Sequence, residues 1–217
     1  MSQRGIFISF EGSEGCGKST QIRRLAARFE QSGREVVTLR EPGGTTIGET
    51  IRHLLKHDES ADAMTPEAEL LLFAASRAQL VREVIRPALE RGAVVLCDRF
   101  LDSTTVYQGV ARRLDATEVA AINAFAIGEI LPDLTLILDL DAAEGRKRAA
   151  SRSQEKDRME QEGIEFYEAV RQGYLKLASA HPERLAIIDA SGSIESVMAQ
   201  ITGIIKLSLE GRVDGLC

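Results

Sequence analysis

The chain has 217 residues, 44% of them apolar, and a formal net charge of −6. This length suits one large domain, residues 1–217, and no apolar run approaches the roughly 18 residues of a membrane-spanning helix. The acidic balance excludes the broad basic footprint of a protein that grips DNA or RNA by its backbone, while three widely spaced cysteines, Cys16, Cys97 and Cys217, exclude a disulfide scaffold or zinc site and fit a reducing cytoplasm.

Residues 6–10 form a short apolar run of buried-strand length, led directly by Met-Ser-Gln-Arg, so no signal peptide is expected. Gly12 to Ser19 then reads G-x-x-x-x-G-K-S, and Ile22, Leu25, Ala26 and Phe29 recur behind it at helical spacing. A strand, a glycine-rich turn and a helix N-terminus aim successive backbone N–H groups at one anion. Gly12, Gly15 and Gly17 let that backbone bend around phosphate. The triphosphate-binding stretch is therefore Gly12, Ser13, Glu14, Gly15, Cys16, Gly17, Lys18, Ser19 and Thr20. Lys18 is expected to reach the β- and γ-phosphates, and the Ser19 hydroxyl to hold Mg²⁺.

This first helix should end near Ser32, with Gly33 just beyond it. A strand at 35–40 runs into the loop Arg40-Glu-Pro-Gly-Gly-Thr-Thr46. Ile47, Ile51, Leu54 and Leu55 then make a helical stripe, which the polar stretch 57–64 breaks. Thr65-Pro66-Glu67 supplies a cap, a first-turn proline and an acid for the next helix. Pro87 should kink or end that helix. Gly92 leads into a strand at 93–97. Asp115-Ala-Thr-Glu118, with Leu114 as a staple, resembles a capping box for a helix over 116–128. Strands at 135–140 and 185–189 and helices from Ala142, over 160–180 and over 193–209 complete the chain, with 210–217 expected to fray. Strands separated by helix-length segments mean an α/β fold whose parallel sheet is covered by helices on both faces.

The apolar run Val94-Val-Leu-Cys97 delivers Asp98 to a strand's carboxyl end, where ligands of open α/β sheets sit. An acid there orders Mg²⁺ or its waters. Asp139 and Asp141, after Leu136-Ile-Leu138, are the rivals. Arg99 favours Asp98, because it adds a fork for a second phosphate.

Asp98-Arg-Phe-Leu-Asp-Ser-Thr-Thr-Val-Tyr-Gln-Gly109, Arg40-Glu-Pro-Gly-Gly-Thr45, Leu72-Phe-Ala-Ala-Ser-Arg-Ala-Gln79 and the glycine-rich loop together resemble the thymidylate kinase family across nearly the whole chain. The resemblance implies a P-loop NTPase fold with five parallel strands and a short lid at about 146–158. It implies transfer of the γ-phosphoryl group of ATP to dTMP, with Mg²⁺, in a homodimer. It also implies roles residue by residue. Arg52 and Arg99 match positions that hold the acceptor phosphate, and Glu14 matches an acid that contacts the deoxyribose 3′-hydroxyl. Phe73 matches the aromatic that stacks on thymine, Arg77 a donor to its exocyclic oxygen, and Thr104 a partner of the ring N–H. Tyr107 matches the residue that leaves no space for a ribose 2′-hydroxyl, and Gln108 lines the same pocket. Without the resemblance, Phe73 reads as a core residue, because it follows Leu70, Leu71 and Leu72 on a helix.

The variable loop positions Ser13, Glu14, Gly15 and Cys16 include no basic residue, so the resemblance implies catalytic arginines in the lid. Arg148 and Arg152 lie four residues apart and would share one helix face; Arg152 is the preferred transition-state arginine. With Lys18 and Arg99 they complete the expected catalytic set. Two departures from the family pattern stand out: Ser76 where an Asp is common, and Ser153-Gln154 in a lid without glycine. A deoxynucleoside kinase is a second reading, but a neutral acceptor needs no phosphate site such as Arg52 and Arg99. A guanine-reading switch is a third, but the chain contains no Asn-Lys-x-Asp.

Overall fold

The computed structural model describes residues 4–58, 61, 63–150 and 161–213. Five strands form one parallel sheet: β1 (Ile6–Glu11), β2 (Val36–Arg40), β3 (Val94–Asp98), β4 (Leu134–Asp139) and β5 (Leu185–Asp189), in the order β2-β3-β1-β4-β5. All five fall where the apolar runs place them, shifted by a residue at some ends. The sheet shows the expected architecture of the P-loop NTPase fold.

β1 is buried along its whole length, as a central parallel strand must be when helices cover both faces. Its residues alternate between two cores. Ile6, Ile8 and Phe10 pack with Leu25 and Phe29 of α1 (Lys18–Gln31) and with Ile201 and Ile205 near the chain's end. On the other face Phe7 joins Leu80, Ile85, Val95, Cys97 and Phe100. Each such side chain contributes about 1.5–3 kcal/mol relative to exposure.

Local chemistry explains most helix starts. In α2 (Thr46–His57) the Thr45 hydroxyl accepts from the Gly48 N–H. In α3 (Pro66–Leu80) Thr65 caps and Pro66 opens the first turn, as expected. Pro87 does not end the helix at once: the regular α-helix stops at Leu80, and the path runs on to Glu90. The helix widens into π-type turns over Val81–Ile85 and passes into α4 (Arg86–Glu90), with Pro87 in its first turn. A wide turn absorbs the hydrogen bond and the space that the proline ring removes.

The segment after β3 is the main surprise. Leu101–Thr104 (α5) and the wide turns Thr105–Ala111 form one helical passage that the sequence reading leaves without an element. α6 (Ala116–Ile127) starts as expected, with Asp115 accepting from the Thr117 and Glu118 N–H groups. α7 (Ala142–Ala150) carries Arg148. The rest of the expected lid, with Arg152, lies outside the described residues. α8 (Ile164–Ala180) begins after Gly163, later than residue 160. α9 (Ile194–Ser208) is capped by Ser193.

Residues 210–213 do not fray, and 214–217 lie outside the described residues. Arg212 bonds the Gly5 carbonyl at 3.0 Å and the Asp133 carboxylate at 2.8 Å, and Val213 is buried. Two long-range polar contacts on one guanidinium hold this segment against the N-terminal edge of the sheet. Among the described residues no helix is long and apolar enough to cross a membrane.

Candidate active site

Register places the site. Phe10 and Arg40 both stand opposite Asp98, so β1, β2 and β3 end together. Their carboxyl ends meet the glycine-rich loop, where Gly12, Gly15 and Gly17 all have positive φ. Gly15 is required on a second ground: a Cβ there would collide with the Gly145 carbonyl of α7. The loop is thus pressed against the helix that carries Arg148.

Lys18 is the first residue of α1 and nearly buried. Its ammonium donates to the Gly12 and Ser13 carbonyls at 3.1 and 2.9 Å. The Ser19 hydroxyl donates to Asp98 Oδ2 at 2.8 Å. That pair of hard oxygens suits Mg²⁺, which takes one or two protein ligands and completes its octahedron with water and phosphate. Among the described residues no group of three or more His, Cys, Asp or Glu side chains forms a cage for a metal. The rival acids are occupied. Asp139 holds Arg171 in a bidentate pair at 2.7 and 2.9 Å, and Asp141 caps α7 through the Ala143 and Glu144 N–H groups.

Two adjoining cavities open at this end of the sheet. One is polar, with Lys18, Ser19, Asp98 and Arg52 in its wall. The other has Phe73, Arg77, Thr104, Tyr107 and Gln108 around it. Glu14, Arg99, Glu41 and Lys56 belong to both. All residues expected to touch the acceptor are therefore brought to one continuous space. Phe73 lines that space instead of belonging to either apolar core.

Arg99 sits where the two cavities join. Its backbone is left-handed, φ 72°, which is uncommon for a residue with a Cβ. Its guanidinium donates to Glu14 at 2.7 Å and lies 5.0 Å from the Tyr107 ring centre. Burial works to raise the Glu14 carboxyl, but Arg99, Lys18 and Lys56 outweigh it and hold it down to about 2. This explains how an anion-binding loop tolerates a carboxylate: Glu14 faces three cations.

Arg77 is 1% exposed and held on three sides. It donates to Glu41 Oε2, Asn123 Oδ1 and Thr104 Oγ1, each at 2.8 Å. Gln108 donates to the buried Glu69 at 2.7 Å. Arg52 donates to the Pro42 carbonyl at 3.0 Å. Ser76, which departs from the family pattern, accepts from the Gly43 N–H at 3.1 Å and so anchors the Arg40–Thr46 loop without an ion pair. Arg148 is not in the wall of either cavity. It bonds Glu144 at 2.8 Å and the Ala190 carbonyl at 3.4 Å.

Sequence reasoning missed two acids. Glu41 pairs with Arg77 through one oxygen, while the other has no protein partner among the described residues. Burial pushes its carboxyl up to about 7, although Arg77 pulls it down. Glu11 is fully buried at the end of β1; burial first, then Asp102, push its carboxyl up to about 7. The only local signal for either is an acid closing a strand.

The geometry agrees with what the chain resembles. A family model described as thymidylate kinase matches residues 10–201. A thymidylate kinase from Geobacter sulfurreducens is 49% identical over 206 residues, covering 93% of this chain and 96% of the relative. One from Pseudomonas entomophila is 50% identical over 206 residues, covering 95% and 97%. The crystal structure of thymidylate kinase from Ehrlichia chaffeensis superposes with a TM-score of 0.77 at 32% identity, covering 93% of this chain and 99% of that one. A glycine-rich phosphate loop, a second cavity joined to it through an arginine, and likeness along the full length of curated relatives lead to one conclusion: the chain belongs to the thymidylate kinase family.

Proposed function

We propose that this protein transfers the γ-phosphoryl group of ATP to dTMP, giving dTDP and ADP. The observation that carries the reading is the junction of the two cavities at Arg99 and Glu14. It leaves room for a triphosphate on the Lys18 side and a nucleoside monophosphate on the Phe73 side, end to end.

The acceptor phosphate has a second pKa near about 6, so its attacking oxygen is already largely anionic at neutral pH. No strong base is needed. The difficulty is bringing two polyanions into line, and positioning with charge neutralisation does the work. Arg99 and Arg52 receive the acceptor phosphate. Gly12, Ser13, Glu14, Gly15, Cys16, Gly17, Lys18, Ser19 and Thr20 wrap the donor through their backbone, with the Lys18 ammonium on the β- and γ-phosphates. Ser19 and Asp98 would hold Mg²⁺, which would supply neutralisation of charge on the phosphate oxygens. Arg152 is the transition-state arginine in this reading, and Arg148, four residues before it in the sequence, is the second lid arginine. On the base, Phe73 stacks and Arg77 and Thr104 read the edge, with Gln108 beside them. Glu14 takes the 3′-hydroxyl.

The protein acts as a single domain in the cytoplasm and as a homodimer in this reading. Exposed Leu71 on α3 and Phe125 on α6, helices that pack on each other, offer an apolar face for such a dimer.

The test is ADP release measured with dTMP, dUMP, dCMP, AMP and a deoxynucleoside in turn. Turnover should be fastest on dTMP, and faster turnover on any other acceptor sinks the proposal. Tyr107 gives a second expectation. Its hydroxyl is buried with no protein partner among the described residues, and its ring walls the acceptor cavity. Tyr107→Ala should cut the preference for deoxyribonucleotides over ribonucleotides by about tenfold, since discrimination here is steric. The ratio of kcat/KM values is the measurement, because loss of the Arg99 stacking contact lowers both alike. An unaltered ratio removes the gate role.

A further inference from the structure

Glu11 is in the wall of neither cavity, yet each hydrogen bond that its carboxylate makes leads to Arg99. Its Oε1 accepts from the Phe100 N–H at 2.8 Å, the peptide that follows the left-handed Arg99. Its Oε2 accepts from the Ser103 hydroxyl at 2.5 Å and from the Tyr174 hydroxyl at 2.8 Å. Those two hydroxyls are in turn the acceptors for Arg99 Nη1, at 3.2 and 3.5 Å. Each hydroxyl has one proton and two lone pairs. The two hydroxyl oxygens also lie 3.0 Å apart, but the ionised carboxylate is the closer acceptor for each; with both protons donated to it, the lone pairs are left for the guanidinium. The carboxylate therefore orients two dipoles and one backbone turn around the same side chain.

We infer that Glu11 is the positioning residue for Arg99: through Phe100 it fixes the backbone turn, and through Ser103 and Tyr174 it aims the guanidinium at the acceptor phosphate. This rests on the dTMP kinase reading for the identity of that phosphate. Glu11 itself stays out of contact with substrate. Its full burial and its distance in sequence from Tyr174, 163 residues, explain why no local pattern marks it.

Glu11→Gln is the informative change. The Phe100 N–H requires an acceptor, so the amide oxygen takes the Oε1 place. The NH₂ then faces Ser103 and Tyr174. Those hydroxyls then accept from it; their mutual contact at 3.0 Å takes up one of the two protons, and the other is left to turn toward Arg99, which is itself all donor. Volume and backbone anchor survive while the aim of the guanidinium is lost.

The experiment is calorimetric binding of dTMP and of thymidine, which lacks the phosphate. In Glu11→Gln the dTMP affinity should fall about tenfold while thymidine affinity stays within about twofold, the signature of misplacement at the phosphate alone. Tyr174→Phe, which keeps the ring and removes one acceptor, should shift the same ratio by a smaller factor and serves if Glu11→Gln does not fold. In an Arg99→Gln background neither change should alter the ratio further. Equal weakening of both ligands, no change in the ratio, or an undiminished effect without Arg99 each overturns the role of Glu11. A wild-type chain that binds dTMP no better than thymidine overturns instead the kinase reading itself.

Discussion

Arg99→Ala should lower kcat/KM for dTMP by about 10³-fold, the scale of removing a preorganised charge donor from a phosphoryl-transfer site. Among the described residues Arg99 is the one guanidinium that lines both cavities, so its removal acts on two counts. On the proposed reading the acceptor phosphate would lose an arginine fork, and Glu14 loses the cation at 2.7 Å that does most to hold its carboxyl low. The freed carboxylate would then repel the incoming phosphate. Arg99→Lys keeps the charge but gives up the fork and should fall between. A structural explanation can be separated from a chemical one at this position. The backbone is left-handed, and relief of that strain is worth about 1 kcal/mol when glycine replaces a residue with a Cβ. Arg99→Gly should therefore be the more stable of the two truncations and no more active. Steady-state kinetics with a thermal midpoint for each variant make the comparison. A loss in kcat/KM below tenfold would move the acceptor-phosphate role to another residue.

Lys18→Ala should lower kcat by about 10²- to 10³-fold while dTMP binding stays nearly the same. The ammonium lies on the Gly12 and Ser13 carbonyls, within the loop that turns its N–H groups toward the donor. It lines the polar cavity and is absent from the wall of the Phe73 cavity. The loop conformation should survive, because the positive φ angles at Gly12, Gly15 and Gly17 do not depend on this side chain. Rapid-quench turnover at saturating ATP reads the chemical step, and calorimetry with dTMP alone reads the acceptor side. Unchanged turnover would mean that the donor's charge is neutralised elsewhere.

Short-range physics made a large part of the molecule legible. The strands appear as apolar runs, because a parallel sheet buried on both faces needs them. Thr45, Thr65, Asp115 and Ser193 each cap within three residues of themselves. The glycine-rich loop is read from spacing alone, since its function is in the backbone. The passage Leu101–Ala111 was not legible. Its Ser-Thr-Thr-Val run is a poor helix former, and packing against α6 and α8 overrides that preference. Phe73 was ambiguous for a related reason: periodicity shows that α3 has apolar residues but not which of them border a cavity.

By itself the sequence determined the fold class, the phosphate loop and, through its motifs, the family. These rest on neighbours in the chain and on backbone geometry that a few glycines, caps and apolar runs impose. Only the tertiary structure shows Asp98 bonded to Ser19 at the end of the loop while Asp139 is taken by Arg171. Only it revealed Glu41 against Arg77, and Glu11 beneath Arg99, across separations of 36 residues and more. A buried carboxylate takes its meaning from the donors that reach it, and here those donors arrive from strands and helices that the sheet order alone brings together.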